Sequence, residues 1–353
     1  MKKLFVSVAG VMLFSLLAFA YNPPVGGESI YRLTEPSMMA DAASSSGGPL
    51  FTLVPSSITY NPALTAAAQR ILFDASYTAL IDTTEVNTTS SKYGSAFQIG
   101  SIIPTKWCTP SFTLQAMFVP FPEMNLGNSV LFNGGISKDV TDKLYVGMNL
   151  YTGFYFGSGS DFTVGADLGV LYFFDNIGFL KRPRLGVSFL NLGKPLSGNY
   201  TVYGLDKTVN DINYPGLVTP RISFAASLFE AKKAKAGFSA DFSFPFFQNV
   251  VFDTALAFSF FDVVKLSAGW NVNLREIING SPVNWPSVGL GVSFVINAKK
   301  ISKNNESWSK SEINTSFAWQ NLYGGIQAVS GGAILNLGTK DKTAPEIILW
   351  DEE

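Results

Sequence analysis

The chain has 353 residues, of which 47% are apolar and only 14% are charged, and its formal net charge at pH 7 is −1. Soluble domains carry about 25% charged residues, so the composition disfavours a soluble globular protein. The charge balance has no nucleic-acid signature, and we expect no nucleic-acid partner. The absence of histidine excludes histidine-based zinc sites and Ser-His-Asp or Cys-His centres. The residue types present still allow catalysis by paired carboxylates. We nevertheless expect no enzyme, metal or cofactor.

The first twenty residues have the pattern of a secretory signal peptide. Lys2 and Lys3 form a basic start, residues 4–17 are apolar, and residues 18–20 read Ala-Phe-Ala, which is a typical cleavage site. We therefore expect the mature chain to start at Tyr21. No later apolar run approaches the roughly 20 residues of a membrane-spanning helix. The sequence thus predicts an exported protein that is either soluble or a β-barrel.

Residues 21–70 do not follow a strand pattern, and we expect a separate hatch there. Residues 43–48 read Ala-Ser-Ser-Ser-Gly-Gly. Further on, Asn61 is a good N-cap and Pro62 suits the first helical position, so a short helix is expected beside strand one. Such a segment can hang in the periplasm or fold into the lumen of a barrel. Its small residues and its lack of charge runs favour the lumen.

From residue 71 to residue 337 the chain repeats short segments in which apolar residues alternate with polar or small ones. Residues 236–244 read Ala-Gly-Phe-Ser-Ala-Asp-Phe-Ser-Phe, which has the period of two of a strand between two different environments. Ten residues tilted by about 40° rise roughly 25 Å, the height of the apolar band of an outer-membrane barrel. The predicted fold is all-β, a transmembrane antiparallel β-barrel of about 14 strands with the hatch inside the lumen. The predicted strands are 71–81, 93–103, 112–119, 130–137, 144–154, 162–173, 184–192, 221–228, 234–244, 251–260, 264–274, 287–297, 311–319 and 323–337.

The end of the barrel is ambiguous in the sequence. Residues 323–337 are rich in glycine, and the chain continues through residues 338–353. Either these last residues form a periplasmic tail, or the segment near Trp350 is the true closing strand.

Orientation is predicted by placing the start of the mature chain in the periplasm. The longest connection, 193–220, then lies outside, as expected for barrels with short periplasmic turns. It is polar and contains three tyrosines. Such a loop either covers the mouth or meets a partner, or it is a solvated loop without a role.

If the apolar face of each strand points to lipid, the polar face points into the lumen. The residues expected to point inward are Asp74, Gln98, Gln115, Asn149, Asp167, Arg221, Asp241, Asp253, Lys265, Asn271 and Asn273. Antiparallel register then places Arg221 opposite Asp241, Asp241 opposite Asp253, and Asp253 opposite Asn271. This lumenal row is either a ligand-gating constriction or a salt-bridge ladder that stiffens the wall. We favour the ladder, because Arg221 already has two carboxylates to pair with.

Three segments resemble the outer-membrane long-chain fatty acid transporter family (FadL-like). Residues 54–64 (Val-Pro-Ser-Ser-Ile-Thr-Tyr-Asn-Pro-Ala-Leu) resemble the Asn-Pro-Ala element that closes the family's hatch before strand one. Residues 38–43 resemble its small, acidic hatch stretch, although with a longer spacer, and residues 185–193 resemble its Asn-Leu-Gly strand end. The resemblance covers the whole mature chain and implies fourteen strands, an N-terminal hatch and long external loops. The residues of the hatch motif are Asn61, Pro62, Ala63 and Leu64.

The resemblance implies uptake of hydrophobic small molecules such as long-chain fatty acids across the outer membrane of a diderm bacterium. Ligand would bind in an apolar groove, pass the hatch and leave sideways through the wall into the membrane. A groove of this kind removes apolar surface from water at roughly 25 cal/mol per Å². Phe154, Phe156, Phe246 and Phe247 are candidates for the groove, but we favour a place in the interfacial girdle. The implied partners are the ligand, outer-membrane lipid and the barrel-assembly machinery.

Two cations are candidates for holding an acidic ligand. Lys265 points inward near the periplasmic end, and Arg32 lies in the hatch. A different function stays open: a surface-exposed barrel that serves as a scaffold or antigen, or an export-associated barrel without transport.

Overall fold

A computed structural model describes residues 21, 23–40, 42–84, 92–121, 124, 126–156, 160–201, 208–215, 218–297 and 310–337. The signal peptide predicted over residues 1–20 and the tail 338–353 lie outside the described residues. No helix among the described residues is long and apolar enough to cross a membrane.

Fourteen antiparallel strands of the described chain close into one barrel, which confirms the predicted fold class. Two further strands, β8 and β9, form a separate hairpin within the long connection predicted over 193–220. The strands are β1 (Ile71–Asp82), β2 (Tyr93–Ile102), β3 (Thr109–Val119), β4 (Gly127–Thr141), β5 (Leu144–Phe156), β6 (Ser160–Phe173), β7 (Lys181–Lys194), β8 (Leu196–Thr201), β9 (Thr208–Tyr214), β10 (Thr219–Glu230), β11 (Ala234–Ser243), β12 (Val251–Phe260), β13 (Val264–Asn273), β14 (Ser287–Asn297), β15 (Lys310–Leu322) and β16 (Ile326–Leu337).

The closing strand is β16. It pairs with β1 along its whole length, from Ile71 opposite Leu337 to Asp82 opposite Ile326. The prediction that this last strand starts at residue 323 was wrong, because a turn over residues 323–325 precedes it, with Tyr323 and Gly324 at positive φ. The alternative closing segment near Trp350 lies outside the described residues.

Alternate residues of the strands meet two different environments. In β1, Asp74 and Thr78 are buried in the lumen, while the side chains of Phe73 and Tyr77 on the other face are 44% and 57% exposed. In a closed barrel the backbone groups on both edges of every strand are hydrogen-bonded to a neighbouring strand. The outer face can therefore be apolar and lie in lipid. The alternation therefore assigns one face of each strand to the membrane and the other to the lumen.

The hatch runs through the lumen from one end of the barrel to the other. Its first residue, Tyr21, stacks on Phe246 at a centroid distance of 5.7 Å. The backbone oxygen of Tyr21 also accepts a hydrogen bond of 2.6 Å from Arg275. Phe246 and Arg275 belong to the longer connections, so we call this the outer end. The start of the mature chain was predicted in the periplasm, and this was wrong, because the chain crosses the lumen before β1 begins at the inner end.

Short helical segments follow one another along the hatch. A 3₁₀ segment (Gly27–Thr34) comes first, and a single α-turn (Pro36–Met39) follows it. Two further 3₁₀ turns, Pro55–Thr59 and Pro62–Ala67, lead to β1. Leu33, Met38, Met39, Val54 and Ile58 are at most 3% exposed and fill the middle of the lumen.

The last turn forms where the Asn-Pro pair predicted a helix start. The side chain of Asn61 accepts a hydrogen bond of 3.0 Å from the backbone nitrogen of Ala63. The turn packs against β4, β5 and β6, so the expected position beside strand one was wrong. Gly147 of β5 makes room for it, since a Cβ atom there would lie 2.6 Å from the nitrogen of Ala63.

We predict that Gly147→Ala loosens the hatch by about 1–3 kcal/mol, the usual cost of overpacking. The added methyl group cannot fit without displacing backbone. Labelling of a cysteine at Ser45, in a Cys108→Ser background, by an impermeant maleimide from the inner side should accelerate. Gly134→Ala is the control, because a Cβ atom there meets only the rings of Phe112, at 3.7 Å, and Phe132, at 3.9 Å. Equal labelling rates in the two variants would contradict the prediction.

Candidate functional site

Polar side chains from successive strands form a hydrogen-bonded belt around the inside of the wall. Along β1 to β6, each amide bridges to its neighbour. Gln98 donates to Asp74 at 2.6 Å, Gln115 donates to Gln98 at 2.9 Å, and Asn149 donates to Asp167 at 2.8 Å. We call the following residues the lumenal belt: Asp74, Gln98, Gln115, Asn133, Asn149, Asp167, Asn191, Arg221, Asp241, Asp253 and Asn271.

The predicted lumenal row forms the other part of the belt. Arg221 Nη2 lies 2.9 Å from Asp241 Oδ2 and 3.1 Å from Asp253 Oδ2, and Asn271 donates to Asp253. Asp241 lies opposite Asp253, and Asp253 lies opposite Asn271, as the predicted register has it.

The predicted register of Arg221 was wrong by two residues. Arg221 lies opposite Ser243, because the turn between β10 and β11 is centred between residues 232 and 233, where Glu230 pairs with Lys235. The long guanidinium side chain spans this offset and still reaches Asp241.

The hatch binds to this belt at several points. The backbone nitrogen of Ser45 donates to Asp241 at 2.8 Å, and Thr34 donates to Gln98 at 3.1 Å. The guanidinium of Arg221 also stacks 4.2 Å above the ring of Tyr60. Wall and hatch therefore satisfy each other's buried polar groups, and displacing the hatch leaves some of them without partners.

The hatch motif lies at a junction within the hatch. The side-chain nitrogen of Asn61 donates to the backbone oxygens of Ser45 and Val170, at 2.8 and 2.9 Å. Ala63 and Leu64 are buried against Leu171 of β6. The motif thus joins the Ser/Gly stretch, the last turn and the wall.

Sequence reasoning missed Arg184, which is 1% exposed on β7. Its guanidinium donates to the backbone oxygens of Ser46, at 2.5 Å, and Gly48, and it stacks over Phe51 at 5.0 Å. Arginine fits this place because its planar group satisfies several carbonyl oxygens at once. Arg184 therefore fastens the Ser/Gly stretch of the hatch to the wall.

The two candidate cations lie far apart. Arg32 donates to Gln320 at 3.2 Å and to the backbone oxygen of Met39 at 2.7 Å, which holds the upper hatch to β15. Lys265 faces the lumen near the inner end, opposite Ser259 on β12 and Gly291 on β14. The structure does not bring these two cations together.

Above the hatch, a small cavity of about 90 Å³ borders Arg32 and Arg221. Its wall combines charged and polar side chains with apolar and aromatic ones such as Leu131, Leu190 and Tyr151, and none of the four phenylalanines suggested for a groove lines it. Phe154 and Phe156 are 54% and 52% exposed on the outer surface of β5, while Phe246 is buried under Tyr21. The residues that line this outer cavity are Glu28, Ser29, Tyr31, Arg32, Thr59, Tyr60, Leu131, Asn133, Tyr151, Thr163, Asp167, Leu190, Asn191, Pro215, Thr219, Arg221, Ser243, Pro245, Val251 and Asp253.

Below the hatch, a cavity of about 860 Å³ lies between the hatch and the inner halves of β12 to β16. Hatch residues such as Ala40, Leu50 and Leu53 form one side of it. On β14 the lumen-facing positions include Gly289 and Gly291, and their missing side chains leave this space open. Membrane-facing residues of the same strands also border this inner cavity, namely Leu266, Leu290, Val292, Thr315 and Phe317.

A buried carboxylate holds the middle of the hatch. Glu35 is 1% exposed and caps the α-turn by accepting hydrogen bonds from Met38 N, at 2.9 Å, and from Ser37 Oγ, at 3.0 Å. Burial, and then the negative charge of Asp74, raise the pKa of Glu35 from 4.5 to about 7. Proton uptake at Glu35 therefore favours the docked hatch.

Comparison with known proteins shows the fold. No family model and no curated protein matches the sequence. The toluene transporter TodX of P. putida aligns at 12% identity and a TM-score of 0.54, over 87% of this chain and 99% of that one. The Ralstonia pickettii toluene transporter TbuX aligns at 12% identity and a TM-score of 0.51, over 85% and 98%. The neighbours are FadL-family outer-membrane proteins, so the predicted resemblance in fold is confirmed. The predicted location in an outer membrane fits this fold and stays a prediction.

We predict that Arg221→Met destabilises the barrel by about 3–5 kcal/mol, because two carboxylates then stay buried without their cation. The triple variant Arg221→Met/Asp241→Asn/Asp253→Asn removes those charges and should lose much less stability. Urea unfolding in lipid vesicles, followed by tryptophan fluorescence, measures both. An equal loss in the two variants would show that the charges do not matter.

We predict that docking of the hatch weakens as pH rises from about 4.5 to about 7. Across this window the docked Glu35 keeps a proton that the released, solvated carboxyl gives up, and above it the loss stops. The free energy of hatch docking changes by at most about 3 kcal/mol across the whole window. Hydrogen exchange of the hatch amides, corrected for intrinsic rates, measures it, with β5 amides as the internal control. Glu35→Gln should reduce this dependence, and an unchanged dependence in that variant would refute the assignment.

Proposed function

We propose that the chain is an outer-membrane channel that takes up hydrophobic small molecules. The hatch acts as its gate, and the inner cavity as the last lumenal compartment before sideways exit into the membrane. The neighbours' names, toluene transporters, support a transport role. The observation that carries the proposal is the inner cavity, which borders both the lumen and the membrane.

The size of the inner cavity supports a hydrophobic cargo. An apolar cavity of about 150 Å³ is enough to hold benzene in a protein core, and the inner cavity has about 860 Å³. Leu50, Phe51, Leu53 and Leu72 are among the residues that line it. Such surface stabilises a bound hydrocarbon by removing it from water. The space accommodates a single aromatic ring and also a longer chain.

The wall beside this cavity supports sideways exit. The paired stretch of β13 and β14 runs only from Val264–Val292 to Gly269–Ser287, the shortest in the described wall. Leu266, Leu290 and Phe317 lie side by side on its membrane face and border the cavity. Parting β13 from β14 would therefore connect the cavity with lipid while breaking few hydrogen bonds.

Gating follows from the position of the hatch. The outer cavity is bordered by hatch residues 28, 29, 31, 32, 59 and 60, and the inner cavity by hatch residues 36, 37, 40, 42, 50–53 and 67–70. Buried hatch residues, among them Leu33, Met39 and Ile58, lie between the two sets. Passage of a ligand thus requires the hatch to move, and its belt contacts set the cost.

A second function has support of its own. The ion pairs of Arg221 with Asp241 and Asp253, together with the hatch, fill the middle of the lumen, as in a rigid scaffold. The hairpin of β8 and β9 adds an ordered element to the external connection. A barrel that displays loops or assists export needs both of these features. It does not need the inner cavity, which is why we favour the channel.

We predict that locking β13 to β14 blocks uptake. In a Cys108→Ser background, Leu266→Cys/Leu290→Cys places two cysteines directly opposite each other. Oxidation should lower cellular uptake of labelled toluene, or of labelled palmitate, at least several-fold, because the strands can no longer part. A reductant should restore it.

The matched control is Met148→Cys/Leu168→Cys, an opposed membrane-facing pair on β5 and β6. Its oxidation should leave uptake unchanged. Equal uptake in both oxidised variants would place the exit elsewhere. No uptake of either compound by the unmodified chain would favour the scaffold.

A further inference from the structure

The inner cavity combines apolar patches with a basic rim. Arg70, Arg182, Lys235 and Lys265 line it, against the carboxylates of Asp262 and Glu312. More cations lie beside this rim, at Lys181 at the start of β7 and at Lys232 and Lys233 on the turn between β10 and β11. The end of the barrel around β7 to β13 is thus positively charged where it meets the inner leaflet of the membrane.

The ion pairs of this rim are open to solvent. Lys235 lies 2.6 Å from Asp262, with side chains 33% and 63% exposed. Arg182 lies 2.5 Å from Glu230, with side chains 54% and 30% exposed. Pairs of this kind contribute little and are screened by salt. An anion with several oxygen acceptors can therefore compete for these cations at small cost.

Lys265 lines the cavity from β13. It faces the lumen, opposite Ser259 on β12 and Gly291 on β14. Beside it the space is open, since a Cβ atom on Gly291 would meet nothing nearer than 3.5 Å. A headgroup at Lys265 therefore has room beside it for the start of an acyl chain.

The apolar part of the cavity continues onto the membrane face. Leu266, Leu290 and Phe317 border the cavity and also face lipid. On the same inner rim, Phe261 is 65% exposed, and Lys233 Nζ lies 5.9 Å from its ring. Aromatic residues with cations beside them are typical of the headgroup level of a membrane.

We propose that the mouth of the inner cavity is a binding site for an anionic phospholipid of the inner leaflet. Its phosphate lies among Arg182, Lys235 and Lys265, and one acyl chain lies along Leu266, Leu290 and Phe317 into the cavity. Juxtamembrane basic clusters attract anionic headgroups in this way. The site rests on the geometry of the proposed exit but does not require transport, so it survives if uptake fails.

The test is lipid retention. The full mature chain is reconstituted in nanodiscs of equal phosphatidylglycerol and phosphatidylethanolamine, released, and analysed by native mass spectrometry. We expect phosphatidylglycerol to be retained several-fold over phosphatidylethanolamine. Lys235→Gln/Lys265→Gln should abolish this preference. Lys138→Gln/Lys143→Gln is the matched control on the other side of the inner rim, and it should keep the preference.

A second pair of variants tests the acyl chain. Gly291→Leu fills the cavity from the lumenal face of β14, and it should lower retention several-fold. Gly331→Leu adds the same side chain on the membrane face of β16, where nothing lies within 4 Å, and should not. Heat-modifiable migration in gels verifies that each variant is folded.

Three results would overturn the proposal. The first is equal retention of the two phospholipids by the unmodified chain. The second is unchanged retention in Lys235→Gln/Lys265→Gln or in Gly291→Leu. The third is displacement of phosphatidylglycerol by palmitate or inorganic phosphate as readily as by added phosphatidylglycerol, since the site would then recognise a single chain or a bare anion.

Discussion

Every polar side chain buried in the lumen needs a hydrogen-bonding partner, and this constraint governs the molecule. A strand that faces lipid on one side must place its polar residues on the other, where water is scarce. The lumenal belt meets most of this constraint by linking amides and carboxylates from strand to strand, while one oxygen each of Asp74, Asn149 and Asp241 has no partner in the described residues. Where the belt alone does not suffice, the hatch supplies backbone groups, as Ser45 does for Asp241. Wall and hatch are therefore one hydrogen-bonded structure.

The same constraint separates the two cavities by the residues that line them. The outer cavity borders the belt and has Asp167, Arg221 and Asp253 beside apolar and aromatic side chains. The inner cavity lies beneath the belt, where β14 carries glycines and the hatch presents alanine and leucine opposite polar side chains of β15. A hydrophobic molecule therefore finds apolar surface on both sides of the hatch, and cations at the inner rim.

Much of the wall was predictable from sequence, because a period of two assigns each side chain to one face. The strands and the inward residues follow from that rule alone. The rule did not identify Asn191 as a lumenal residue, because its φ of 60° and a register shift nearby interrupt the alternation. It also missed the offset of Arg221, since a period of two does not fix where the turn between β10 and β11 is centred.

The hatch was harder to predict, for a physical reason. Its turns have no repeating period, and their places depend on partners distant in sequence. Asn61 is a preferred N-cap residue, so the helix start could be predicted from it. No neighbouring residue in the sequence indicates that the turn packs against β5 instead of β1. Arg184 stands in a strand pattern beside other basic residues, and only the folded lumen sets it apart. The inner cavity comes from glycines on one strand and small residues on another segment, which no local pattern connects.

The pairing of β1 with β16 has a consequence for biogenesis. These strands lie at opposite ends of the barrel sequence, and the hatch is joined directly to β1. Once this seam has formed, the hatch is enclosed on all sides by wall. It must therefore collapse onto the growing sheet while the seam is still open, and the belt must adopt its partners at that stage. The connectivity therefore sets the order of assembly: the hatch packs onto the sheet before β1 pairs with β16. A barrel that closed first would have a lumen without its hatch.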